Sequence, residues 1–372
     1  MPEQIKLVTV VEERLTSFLS SREEAMAAIS PDLGHLADYA HNLLGNGKRF
    51  RARFCYWGWR AAQTSFDAID LVGGIETLSD IEPVVSLATS LEVFHAAALV
   101  HDDIMDNSDT RRGFASAHRT FESIHRERGY FGGDSHFGES TALLLGDLLL
   151  AWSDELLTEA LGQQDASVSR ATRTEFARMR QEVTLGQYLD IHEEAAWLHT
   201  AKDERLERAL RVVTYKSAKY SMEAPLLIGA SLAGATAEVL EDLSAFGLPL
   251  GIAFQLRDDL LGVFGDSEVT GKPSGDDLRE GKRTVLIALG EKSMPPGAQS
   301  LFNELLGDRS LTGEQIEVLQ STLRQTGAVE EVEELINRYA EDSLTALKSA
   351  RIAPGAKKEL SRLAAAVTQR QS

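Results

Sequence analysis

An apolar run, Phe94-His95-Ala96-Ala97-Ala98-Leu99-Val100, leads straight into His101-Asp102-Asp103-Ile104-Met105-Asp106, so three carboxylates crowd the end of a segment made to be buried. On a helix Asp102 and Asp106 share a face and repel each other, so a cation is expected between them. Hard carboxylate oxygens suit Mg²⁺, which is commonly held by one or two carboxylates together with the phosphates of a substrate. Arg111 and Arg112 follow at once, and guanidinium groups pair well with phosphate. The spacing predicts a metal–diphosphate site at the end of a core helix.

The pattern recurs further along. Gln255-Leu256-Arg257-Asp258-Asp259-Leu260-Leu261-Gly262 again follows an apolar run, Leu248–Phe254, and is followed by a Gly- and Asp-rich stretch carrying Lys272 and Lys282. A core helix, an acidic pair and a basic loop thus occur twice. Two facing helices are expected to present both acidic ends to one diphosphate, with metal ions bridging carboxylate and phosphate oxygens.

Composition narrows the class. A net charge of −19 over 372 residues argues against a nucleic-acid footprint, so an anionic substrate must be captured by local basic residues or metal. The hydrophobic fraction, 43%, is ample for a core. A single cysteine, Cys55, excludes an internal disulfide framework and suits a reducing, cytoplasmic setting. The N-terminal residues lack a secretory pattern, and the apolar stretches 224–235 and 246–256 read as too short and Gly-rich to span a bilayer.

Helical periodicity dominates. Helices are expected over Val8–Ser20, Leu33–Leu44, Arg51–Ala62, Glu82–Met105, Ala142–Leu161, Thr172–His192, Asp203–Tyr215, Lys219–Ile228, Thr236–Val263, Arg283–Leu289, Gly297–Leu306, Gly313–Thr326 and Val329–Ser349, with a short one near Lys357–Gln369. No alternating strand with hairpin signals stands out. Gly129–Glu139 and Ser267–Gly281 read as the least helical stretches; the first suits a flap, an interface loop or a disordered insertion. The fold expected is all-α, one large domain over residues 1–372.

These residues resemble the trans-isoprenyl diphosphate synthases, the polyprenyl synthetase family. The likeness rests on both aspartate motifs, on Arg111-Arg112-Gly113 after the first, on Gly47-Lys48-Arg49-Phe50-Arg51, and on His95, seven residues before Asp102. Gly146-Asp147, Gly186-Gln187-Tyr188-Leu189-Asp190 and Lys216-Ser217 extend it, so that the motifs cover about residues 40–290 in the family's order. The resemblance implies a helical bundle around a central apolar cavity and head-to-tail prenyl transfer. An allylic diphosphate (dimethylallyl, geranyl or farnesyl) ionises, the double bond of isopentenyl diphosphate attacks the cation, and a proton is lost.

It also implies roles. Asp102 and Asp106 would hold two Mg²⁺ and Asp258 a third, with Mn²⁺ able to substitute. Arg111, Lys216, Ser217, Gln255, Lys272 and Lys282 would bind the allylic diphosphate. Lys48, Arg51, His95 and Arg112 would bind isopentenyl diphosphate without metal. Asp103 and Asp259 lie about 100° round the helix from their neighbours and read as supporting residues. A homodimer is usual in the family. Gly262 stands where the second motif commonly carries a third aspartate, and Asp266 is a possible substitute for it.

The helix leading to Asp102 is also expected to measure the product, since one helical turn of about 5.4 Å is roughly one isoprene unit. Ala97 and Ala98, one turn before the aspartates, leave that level open. Phe94, a turn further back, is the natural floor, which makes twenty-carbon geranylgeranyl diphosphate the expected product. Were Phe94 ordinary core, the product would be longer. A class I terpene cyclase shares the first motif, but its second metal motif is an Asn/Ser/Glu pattern and it needs no second diphosphate pocket. A metal-dependent phosphohydrolase needs metal-spaced histidines, which the sequence lacks. A regulatory subunit of a heteromeric synthase would be expected to have lost motif residues kept here.

Overall fold

The computed structural model of the chain describes residues 3–45, 47–63, 78–265 and 274–368. The fold is all-α. The strands among the described residues are two residues each, Thr110–Arg111 and Phe114–Ala115. The chain forms two compact units, one of Met1–Thr172 with Ile228–Gly234 and one of Arg173–Leu227 with Ala235–Ser372.

The first unit is built from α1 (Glu3–Ile29), α2 (Gly34–Gly45), α3 (Phe50–Ala62), α4 (Leu78–Met105), α5 (Ala117–Glu127) and α6 (Asp134–Leu161). Helix α4 is apolar nearly all round, with Leu87, Ala88, Leu91 and Ala97 fully buried, the mark of a core helix. It packs most extensively on α6. At that crossing the buried Ser90 and Ser153 each donate to the other's backbone carbonyl, at 2.7 and 2.9 Å. Short hydroxyls let two backbones approach while leaving no polar group unsatisfied.

Helix α7 (Ala166–Ala196) carries the chain into the second unit. There follow α8 (Arg205–Val212), a π-helical segment Val213–Glu223, α9 (Ala224–Leu232), α10 (Ala237–Phe264), α11 (Asp276–Glu280), α12 (Val285–Ser293), α13 (Pro296–Leu305), α14 (Gly313–Gln325), α15 (Ala328–Ser349) and α16 (Pro354–Thr368). Helix α10 is the hub, packed on α15 and on the π segment. Leu256, Leu260, Leu286, Leu319 and Ile336 belong to one continuous core.

The structure differs from the sequence reading in several places. Helix α5 was not expected. Its buried residues, Ala117, His118, Phe121, Glu122 and His125, have helical spacing, but three are polar and escape a hydrophobicity pattern. Gly129–Glu139 is not wholly irregular, because α6 begins at Asp134. The break expected between Tyr215 and Lys219 is a continuous helix in π register, whose extra residue per turn disturbs the 3.6-residue repeat. A small hairpin, Thr110 paired with Ala115 and Arg111 with Phe114, is too short to show alternation. The apolar stretch 246–256 lies inside the 28-residue α10, which like Ile81–Met105 is long and apolar enough to cross a membrane. For Ile81–Met105, 78% of the apolar window is buried within the protein.

A buried polar knot ties the turn after α7 to α8 and α12. Trp197 Nε1 donates to Glu291 Oε2 at 2.8 Å, and Arg205 Nη1 donates to the same oxygen. The guanidinium carbons of Arg205 and Arg283 lie 4.9 and 5.5 Å from the centre of the Trp197 ring. Glu291, 2% exposed, is the carboxylate both arginines face, at Arg283 Nη1 across 3.9 Å. Glu291→Ala is expected to leave these cations uncompensated and lower the unfolding free energy by about 3–5 kcal/mol, measured by denaturant melts.

Candidate active site

The first acidic motif ends α4. Asp102 and Asp106 are part-buried, while Asp103 is 1% exposed. Arg111 accounts for the burial of Asp103: its Nε donates to Asp103 Oδ1 at 2.9 Å and its Nη2 donates to the same oxygen. The same Nη2 lies 3.5 Å from Asp102 Oδ2. Arg111, an expected diphosphate ligand, also neutralises Asp103 and leans on Asp102. His101 Nε2 lies 3.6 Å from Asp147 Oδ1. A β-carbon on Gly146 would stand 2.1 Å from that nitrogen, so the glycine before Asp147 makes room for the imidazole.

A cationic cluster lies behind it. The hairpin that follows α4 turns at Arg112-Gly113, with φ of 53° and 81°. Positive φ at both central residues is the type I′ pattern, which matches the twist of a hairpin. An arginine in the left-handed region costs about 1 kcal/mol. Arg112 Nη1 donates to Leu43 O at 2.8 Å, so its guanidinium meets the C-terminus of α2, where cations are favoured. Arg51 is part-buried and Lys48 exposed. Burial first, then the charges of Arg51, Arg112, Arg111 and Arg49, hold the imidazole of His95 well below its usual range. The four residues expected to take isopentenyl diphosphate, Lys48, Arg51, His95 and Arg112, all lie in the first unit. Phe94 and Ala97 are buried and Ala98 part-buried on α4.

In the second unit Asp190 joins the lysines. Lys216 Nζ donates to Asp190 Oδ2, and Lys282 Nζ lies 3.5 Å from the same oxygen, 3.9 Å from Glu194 and 4.0 Å from Glu280. Two lysines 66 positions apart in sequence thus meet at one carboxylate. Lys216 and Ser217 lie in the π segment. A β-carbon on Gly186 would stand 2.3 Å from the backbone nitrogen of Lys216, so only glycine lets α7 lie this close. The Nε2 of Gln187, next in the chain, is buried with no hydrogen-bond partner among the described residues.

The second acidic motif repeats the arrangement of the first. Asp258 is part-buried and Asp259 buried. Gln255 Nε2 donates to Asp259 Oδ1 at 2.8 Å. Burial pushes Asp259 up to about 8, with Asp277, Asp258 and Asp190 adding to the rise and the Gln255 hydrogen bond opposing it. Lys272 and Asp266 lie outside the described residues. At Gly262 a β-carbon would stand 2.0 Å from Asp277 Oδ2 and 2.8 Å from Asp277 Oδ1. The Asp277 carboxylate, in the first turn of α11, therefore packs directly against Gly262.

The donor set fits Mg²⁺. Asp102 and Asp106 offer hard oxygens one turn apart on one helix face, and the aspartate between them is already committed to Arg111. Among the described residues no group of three or more His, Cys, Asp or Glu side chains is gathered to hold a metal ion, and Mg²⁺ is commonly held by one or two carboxylates together with phosphate. Sequence reasoning gave no role to Arg49, Glu92, Asp190 or Asp277. Asp190 was within reach, because it closes the Gly186–Asp190 motif; the other three show only in three dimensions.

Core helices ending in paired aspartates, each unit with its own cationic residues, define an enzyme that handles diphosphates. The polyprenyl synthetase profile matches residues 34–323, and the chain belongs to that family and is a prenyltransferase. A geranylgeranyl pyrophosphate synthase of Corynebacterium glutamicum, solved with isoprenyl diphosphate and magnesium, superposes with a TM-score of 0.87 at 39% identity, covering 98% of this chain and 99% of that one. A short-chain isoprenyl diphosphate synthase of Methanocaldococcus jannaschii is 31% identical over 237 residues, 64% of either chain. A geranylfarnesyl diphosphate synthase of Aeropyrum pernix is 31% identical over 273 residues, 73% of this chain and 76% of its own.

Two outcomes are expected. Gly262→Asp should displace the Asp277 carboxylate and cost about 1–3 kcal/mol of stability; adding Asp277→Gly should restore most of it, a coupling that denaturant melts of the four proteins will resolve. His95 stays neutral when folded but titrates near 6.5 when unfolded. Its contribution is therefore complete above about pH 6.5 and is lost as pH falls below it. His95→Gln should flatten the decline of unfolding free energy between about pH 6.5 and 5, by up to about 1.4 kcal/mol per pH unit.

Proposed function

We propose that the enzyme condenses isopentenyl diphosphate head-to-tail with an allylic diphosphate and stops at geranylgeranyl diphosphate. The observation that carries this reading is the division of labour along α4. Its end bears carboxylates for a metal-bound leaving group, and His95, two turns earlier, sits among guanidinia suited to a diphosphate that must stay. Asp102, Asp106 and Asp258 are the residues to hold Mg²⁺, three ions per site by the family's pattern, with Mn²⁺ able to substitute. Bound Mg²⁺ supplies neutralisation of the departing diphosphate.

Lys216 and Lys282, with Ser217, Gln255, Lys272 and Arg111, would hold the allylic diphosphate as its carbon–oxygen bond breaks. Positive charge fixed where negative charge develops is the largest catalytic contribution expected. Lys48, Arg51, His95 and Arg112 would orient isopentenyl diphosphate so that its double bond attacks the allylic carbon. The new carbon–carbon bond leaves a cation beside it, which loses a proton to the released diphosphate. The buried walls of α4 keep water from both cations.

Product length follows from Phe94, Ala97 and Ala98. Phe94, buried on α4, lies two turns below the aspartates, at the level where a floor for a twenty-carbon chain would stand. Soluble, cytoplasmic action as a homodimer belongs to the same reading. Leu143 and Leu144, 51% and 64% exposed on α6, offer apolar surface for a second copy.

Incubation with Mg²⁺, isopentenyl diphosphate and each of the dimethylallyl, geranyl and farnesyl primers should give a twenty-carbon diphosphate, sized by chromatography. The same assay on Phe94→Ala should give longer products; an unchanged length would rule out the floor, and no transfer with any primer would overturn the reading itself.

A further inference from the structure

Helix α3 starts without the usual cap. Arg49 occupies its N-cap position at φ 52° and ψ 38°, in the left-handed region, with no side-chain hydrogen bond to the first turn. The first N–H groups of a helix need acceptors from elsewhere. One comes from another helix: Ala52 N donates to Glu92 Oε1 at 3.1 Å. The second oxygen of Glu92 lies 3.5 Å from Arg49 Nη1, and Arg49 Nη2 donates to Leu44 O. Glu92 and Arg49 are 5% and 3% exposed.

These contacts make one device. A carboxylate is favoured at a helix N-terminus, and a buried carboxylate needs a cationic partner; Glu92 has both. Arg49 is held in a backbone conformation that costs about 1 kcal/mol, so its neighbours must fix it. On α4 Glu92 lies three residues before His95, one turn away on the same side. The helix that carries His95 thereby also grips the segment that carries Lys48 and Arg51. Glu92 acts on Arg112 as well, opposing burial and the charges of Arg49, Arg111 and Arg51 that pull its pKa down.

We propose that Glu92 is a positioning residue for isopentenyl diphosphate: by capping α3 and pairing Arg49 it sets Lys48 and Arg51 in register with His95 and Arg112. The proposal rests on the reading of those four residues as diphosphate ligands. It also gives Arg49 a structural task, distinct from that of Arg51 two residues on.

The test compares wild type, Glu92→Gln and Glu92→Ala in steady-state assays with each substrate varied, and in calorimetric titrations with isopentenyl diphosphate in the absence of metal. Glu92→Ala should raise the KM for isopentenyl diphosphate about tenfold or more and weaken its metal-free binding in parallel. The KM for the allylic diphosphate should change much less. Glu92→Gln retains an acceptor for Ala52 N and loses the charge, so it should fall between. If Glu92→Ala does not fold by circular dichroism, the glutamine variant carries the same comparison.

Equal rises in both KM values, or unaltered binding of isopentenyl diphosphate by a folded variant, would overturn the positioning role while leaving prenyl transfer intact. A wild-type protein that neither binds isopentenyl diphosphate nor transfers prenyl groups would overturn both.

Discussion

Like charges brought together at the end of an apolar helix repel one another, and the structure is organised around containing that repulsion. At the end of α4 the middle aspartate, Asp103, is buried beneath Arg111, which leaves Asp102 and Asp106 on the accessible side. At the end of α10 the corresponding Asp259 is buried against Gln255 and pushed up to about 8 by that burial. The two solutions differ in kind. A guanidinium balances the first aspartate, whereas the second accepts from an amide and is held by burial above the usual carboxylate range. The cationic residues are contained in the same way, Arg49 by Glu92 and Lys216 with Lys282 by Asp190.

Containment depends on backbones that come unusually close. The π segment brings Lys216 to Asp190 because α7 is bare at Gly186, where a β-carbon would run into the segment's own backbone. A π register places side chains where a regular α-helix would not, and Lys216 lies within it. The knot of Trp197, Arg205, Arg283 and Glu291 fixes the residue next to Lys282, so the second lysine is anchored from behind.

The chemistry was largely legible in the sequence because charged residues at the ends of apolar runs have few structural explanations. Asp102, Asp106 and Asp258 stood out by spacing as candidates, whereas His95 and the basic motifs were named only through the family resemblance. What stayed hidden was whatever acts across the fold. Glu92 looks like an ordinary polar residue on a core helix until its partners Ala52 and Arg49 are in view. Asp277 belongs, by sequence, to a loop-like stretch, yet its carboxylate fills the space beside Gly262. Helix α5 was missed because histidine and glutamate line its buried face, and the π segment because its register breaks the repeat by which helices are recognised.

The two left-handed arginines bear on how such a chain can change. At positions 49 and 112 glycine would relieve the local strain, and at 112 it would also suit the type I′ turn better than any arginine. At 49 that gain is outweighed, because removing Arg49 would leave the buried Glu92 carboxylate without its cation; at 112 the strained backbone is set against a part-buried bond, the donation to Leu43 O. Variants chosen only for heat tolerance should therefore keep arginine at 49 while drifting toward glycine at 112, so that two arginines in the same backbone conformation would part company under the same pressure.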